Sequence, residues 1–204
     1  LEMRFYKLFL LLSFWGVVHF SYAQRIIISP NHYQITIPDN WKSLNKNRID
    51  EILKAREEQS GIISKHVVTE AIIVKHQEFS VPNMQILFNK MKLTSKNFSE
   101  FATVFTKIIP EAQKDVLEKW ELNDKILKSD FSHPFIDYET KMYLYTLKQE
   151  VAGIGTVIVV SANFMANNGI ITLNFYTRES EFDKYRKTLL SFIKSLKIEE
   201  TYIH

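Results

Sequence analysis

Apolar and polar positions alternate most cleanly in two stretches of the chain. Over residues 32–37, Tyr33, Ile35 and Ile37 share one face and His32, Gln34 and Thr36 the other. Over 170–176, Ile171, Leu173 and Phe175 oppose Thr172, Asn174 and Tyr176. A period of two is that of a strand with one face against a core. Strands are also expected over 25–29, 62–77 (as one or two segments), 84–93, 122–129, 138–148 and 156–163, which are rich in β-branched and aromatic residues.

A period near 3.6 marks the helices. Phe98, Phe101, Ala102, Phe105, Ile108 and Ile109 fall on one stripe, with Ser95 or Asn97 as cap and Pro110 as terminator. Phe182, Tyr185, Leu189, Phe192, Ile193 and Leu196 make a second stripe, where Ser180 and Asp183 form a capping box with Asp in place of Glu or Gln. A first helix is expected over 43–59, on Leu44, Ile49, Ile52 and Leu53, with Gly61 as its stop. Residues 111–120 show no decisive period.

Turn chemistry joins these elements. Asn167-Asn168-Gly169 is a hairpin signal of the kind that favours positive φ, and Gly153-Ile154-Gly155 reads as a turn entering a strand. Strands adjacent in sequence with short turns favour an antiparallel sheet, and the helices between them must cover its faces. The expectation is an α+β fold, with one domain over 24–204.

The residues ahead of that domain have another pattern. Met3 to Lys7 carries the positive charges, Leu8 to Phe20 is apolar, and Ser21-Tyr22-Ala23 places small residues before a cut at Gln24. That order is a cleavable signal peptide over 3–23. The apolar run of about 13 residues is short of the roughly 20 that span a bilayer. A tether formed by uncleaved residues 8–20 is the competing reading. Gln24 directly after Ala23 resembles the junction of exported Bacteroidetes-type proteins. Leu1-Glu2 ahead of the methionine is set aside as a cloning scar or misplaced start.

Composition narrows the chemistry. The chain has no Cys, which excludes disulfides, thiolate metal sites, a thiol nucleophile and a lipid-anchored cysteine. Net charge is +3 over 204 residues; without Glu2, Arg4 and Lys7 the remainder holds 24 basic and 22 acidic residues. The basic residues are scattered among acids, so a nucleic-acid partner is not expected.

No Gly-x-Ser-x-Gly elbow, P-loop or three-glycine dinucleotide loop is present. His32, His66, His76, His133 and His204 show no metal-ligand spacing. His66 and His76, ten residues apart, would lie roughly 33 Å apart along a straight strand. Asp137 and Glu139 are the carboxylate pair to test, since they share a strand face if Asp137 is already extended; a solvated polar face is the plainer account. Asn97-Phe98-Ser99 has the form of a glycosylation sequon. Trp41 and Trp120 are expected in the core rather than in a binding groove.

Two stretches resemble PsbP-like domains. Tyr33-Gln34-Ile35-Thr36-Ile37-Pro38-Asp39-Asn40-Trp41 is similar to the family's opening of strand, Pro, acidic residue and Trp. Residues 168–177, followed by Phe182, Tyr185 and Ser191-Phe192-Ile193-Lys194-Ser195-Leu196-Lys197-Ile198, are similar to its closing strand and helix. The resemblance implies an α/β/α sandwich around a central antiparallel sheet, shared by PsbP, a Ran-binding nuclear import factor and exported bacterial proteins. It brings no catalytic residue, metal or cofactor, and it implies binding or assembly factors.

The expected function is therefore that of a non-enzymatic exported binding or assembly protein of the bacterial envelope, periplasmic or extracellular. Its partner would be an envelope protein or a small ligand, and no ligand-binding residue is assigned. The rival is an envelope hydrolase dependent on carboxylates or His.

Overall fold

The computed structural model describes residues 25–60, 67–76, 80–91, 97–107, 126–132, 134–166 and 168–199. Among these residues the main sheet has eight strands: β3 (Lys42–Ser43), β4 (Val67–Val74), β5 (Asn83–Lys90), β6 (Ile126–Phe131), β7 (Phe135–Asp137), β8 (Met142–Val151), β9 (Gly155–Ala166) and β10 (Gly169–Arg178). Their order is β3-β4-β5-β10-β9-β8-β6, with β7 also on β8, and every pairing is antiparallel. A smaller sheet of order β1-β2-β11 joins β1 (Arg25–Ser29) and β2 (Tyr33–Ile37) to β11 (Lys197–Ile198).

Helix α3 (Phe182–Ser195) roofs one face of the main sheet. Ile171, Leu173 and Phe175 of β10 meet Met84, Ile86 and Phe88 of β5 and Val160, Ala162 and Phe164 of β9 beneath it. Tyr185, Leu189 and Phe192 close this core from α3, and Tyr33, Ile35 and Ile37 from β2. Trp41 stands edge-on to Phe192 and Tyr185, with ring centroids 5.6 and 6.2 Å away. Its place in the core is the one expected from sequence.

Side-chain alternation places the other helices on the opposite face. Helix α1 (Lys46–Ser60) packs Ile49, Ile52 and Leu53 on Ile72 and Val74 of β4. Helix α2 (98–107) packs Phe98 and Ala102 on Met165 of β9. The result is an α+β fold with a central antiparallel sheet between helices.

Some local expectations change. Ser180 does not cap α3: it lies in a 3₁₀ turn, Glu179–Glu181, whose Phe182 N–H bonds the Glu179 carbonyl, and no side chain caps the helix. That i→i−3 bond meets part of the capping demand of the helix start. The first helix starts at Lys46, because Lys42 and Ser43 pair with Val74 and Ile73 and Asn45 then caps it through Oδ1 to the Arg48 N–H at 2.9 Å. Gly153 and Gly155 take φ of 75° and 88°, as a turn into a strand requires. Gly169 is needed for another reason than positive φ: a Cβ there would lie 2.3 Å from the Asn89 carbonyl oxygen on the neighbouring strand.

Candidate functional site

A groove of about 570 Å³ opens where the end of the main sheet meets the end of α3. Met142, Phe164 and Ala166 form its apolar floor, and Ile193, Leu196 and Ile198 its opposite wall. Glu139, Lys141, Lys194 and Glu199 stand among its charged lining residues. The wall exists because the chain turns extended at Leu196, the residue ending α3, and runs into β11. The Glu199 N–H then bonds the His32 carbonyl at 2.9 Å, tying the groove to the β1–β2 turn.

The β7–β8 turn makes the far rim. Asp137 Oδ1 accepts from the Glu139 N–H at 3.0 Å, and Oδ2 from the Thr140 hydroxyl at 2.8 Å. Asp137 and Glu139 therefore do not share a strand face. Asp137 ends β7 and Glu139 lies in the turn, because a carboxylate that bonds the backbone two residues on competes with strand pairing. The Thr140 hydroxyl, with lesser help from the Glu139 and Thr140 N–H groups, holds the Asp137 carboxyl below its usual range. A general acid needs the opposite shift.

The histidines do not converge. His32 is exposed in the β1–β2 turn, with Nδ1 3.6 Å from Glu199, and His76 is exposed after β4. His66, His133, His204 and Trp120 lie outside the described residues, as does the leader segment. Among the described residues no group of three or more His, Cys, Asp or Glu is placed to hold a metal ion.

A second polar centre was not visible in sequence. Glu70 is the extra residue where the β4–β5 register shifts between Thr69 and Ala71. A bulge re-aims one side chain, and here the carboxylate reaches the smaller sheet. Its Oε2 accepts from the Ser29 hydroxyl at 2.8 Å and from the Tyr33 hydroxyl, and Oε1 accepts from the Asn31 amide. A lone acid in the run Val67-Val68-Thr69-Glu70-Ala71-Ile72-Ile73 was the available signal.

Three tyrosines ionise far less readily than a free phenol. Tyr33 is shifted up first by burial and then by Glu70; Tyr143 by burial and then by Tyr145; Tyr145 by burial, against a bond to Ser161. Their folded pKa values lie above the unfolded value of about 10. The stability they contribute is full below that pH and is lost as pH rises through the folded values. Thermal melting followed with tyrosinate absorbance is expected to show the melting temperature falling above about pH 10. Ionisation of all tyrosines near that pH with no fall in melting temperature would contradict this.

No family model matches the sequence, and no curated protein matches it. Among solved structures, the chain is similar to cyanobacterial PsbP (CyanoP) from Synechocystis sp. PCC 6803, at 11% identity and a TM-score of 0.46, covering 90% of this chain and 96% of that one. It is also similar to PA94 from Pseudomonas aeruginosa, at 6% identity and a TM-score of 0.32, covering 89% of this chain and 96% of that one. The architecture above rests on its own strand order and helix placement, and no activity passes from either structure to this chain.

Proposed function

We propose that the protein is an exported, non-enzymatic binding or assembly protein of the bacterial envelope, and that the groove beside β11 seats its partner. The observation that carries this reading is the composition of the groove: an apolar floor and wall with charges of both signs around them. Such a surface gives affinity through its apolar centre and orientation through its polar rim. Phe135, 61% exposed, pairs with Leu144 beside Met142 and continues the apolar strip beyond the groove. The depressed Asp137 carboxyl does not suit the general-acid role in a carboxylate hydrolase, since that acid must hold a proton.

The test is a photo-crosslinking residue placed at Leu196, with Leu190 on the exposed side of α3 as the control position, in cells exporting the protein. An adduct of defined mass is expected at 196 and not at 190, and it should disappear in Ile193→Glu. Identical adducts at both positions would remove the groove from the reading. Turnover of an envelope polymer by the purified protein would remove the non-enzymatic part. Exported material beginning at Gln24 is the expected product of the leader.

A further inference from the structure

The face of the main sheet opposite α3 carries a band of uncharged hydrogen-bonding side chains across four adjacent strands. Register places Gln85, Asn174, Ser161 and Tyr145 in one row, and Thr172, Asn163 and Tyr143 in the next. Asn163 donates to the Ser161 hydroxyl at 3.0 Å and accepts from the Thr172 hydroxyl at 2.7 Å. The flanking members are buried, Gln85 and Ser161 at 1% exposure and Asn163 at 4%, whereas Thr172, Asn174 and Tyr176 on the central strand β10 are only half-buried. Helix α1 sits to one side, on β4, and α2 to the other, where Phe105 lies 4.2 Å from Tyr143 between ring centroids. Solvent therefore reaches the middle of this face, over β10.

Two amides there have no partner within the protein among the described residues. The half-buried Asn174 side chain makes no hydrogen bond among them and is met only by solvent, although it stands between Gln85 and Ser161. The buried Oδ1 of Asn89, on the same face of β5, has no partner either. Buried polar groups are almost always bonded, and exceptions point to a missing water or ligand. Over residues 83–89, 143–149, 157–165 and 170–176, the positions on this face hold no Asp, Glu, Lys, Arg or His. A charged ligand would find no counter-charge there, and burying it unpaired is costly. A purely apolar ligand would leave Asn174 unpaired.

We propose that this polar band is a second binding site, distinct from the groove, and that it takes an uncharged saccharide. Amides and hydroxyls on neighbouring strands stand about 4.8 Å apart and offer both donors and acceptors to sugar hydroxyls. Tyr145, whose ring lies 4.9 Å from that of Phe131, and the half-buried Tyr176 flank this band. A peptide is the poorer fit, because strand-like peptides dock on sheet edges, whereas β5, β10, β9 and β8 are paired on both sides.

The test is backbone and side-chain amide NMR of the protein with maltohexaose, cellohexaose and N-acetylchitohexaose as neutral probes and a hexagalacturonate as the charged one. At least one neutral probe is expected to shift the Asn174 and Gln85 amide signals, and the uronate is expected to shift neither. Asn174→Ala should weaken that binding at least tenfold while the melting curve is retained. Asn174→Thr, which keeps a strand-forming residue, should do the same if the alanine variant is poorly folded. Three outcomes would overturn the inference: no neutral probe moves these signals, the shifts persist in both variants, or the shifts fall on Ile198 and Glu199. The last would place the sugar in the groove and leave the binding role of that groove standing.

Discussion

Glu70→Ala is expected to lower the unfolding free energy by about 3 kcal/mol, since each hydroxyl left without an acceptor costs roughly 1–3 kcal/mol. Tyr33 is 1% exposed, so water cannot replace the carboxylate there. The Ser29 hydroxyl and Asn31 amide lose the same acceptor. No cation among the described residues pairs with Glu70, so the loss comes from hydrogen bonding and not from an ion pair. Glu70→Gln keeps one carbonyl oxygen for the two hydroxyls, and Asn31 can turn its amide to meet the new donor. About half the alanine loss is expected for it. Urea midpoints for the three proteins decide the matter. An alanine variant within about 0.5 kcal/mol of the parent would mean that the Glu70 hydrogen bonds add nothing.

Phe192→Ala is expected to cost about 3–5 kcal/mol, the range for truncating a buried aromatic residue. Its ring is fully buried, edge-on to Trp41 and within the cluster that includes Phe175 and Leu189. Leu190, two residues earlier in the same helix, is 44% exposed, and Leu190→Ala should cost under about 1 kcal/mol. Against a total stability of roughly 5–15 kcal/mol, the first change uses a large share and the second does not. Equal losses from the two would mean that α3 is not seated as described.

Periodicity in the sequence reported well on which side chains share a face. The stripe from Phe182 to Leu196 became α3, and Ile171, Leu173 and Phe175 became the centre of the core. It could not report what lies over a face. Thr172 and Asn174 read as an ordinary polar side of a strand, yet their neighbours Asn163 and Ser161 are buried. The strand expected over 138–148 began late, at Met142, because Asp137 bonds its own backbone through a turn at 138–141. The groove was hidden for a topological reason: residues 137–142, 164–166 and 193–199 meet only after the sheet and α3 are assembled. Glu70 needed the bulge, which no local pattern announces.

The pairing of β11 with β2 makes completion of the small sheet depend on residues 197–198. Tyr33, Ile35 and Ile37 belong to an early strand, but β2 gains its second neighbour only through residues 197–198, and much of its cover only through α3. A nascent chain lacking those residues leaves three large apolar side chains of β2 without that cover. Contacts this distant in sequence also close slowly. The same connection that completes the small sheet thus makes final closure of this core wait for residues 197–198, so the first and last described strands are secured together.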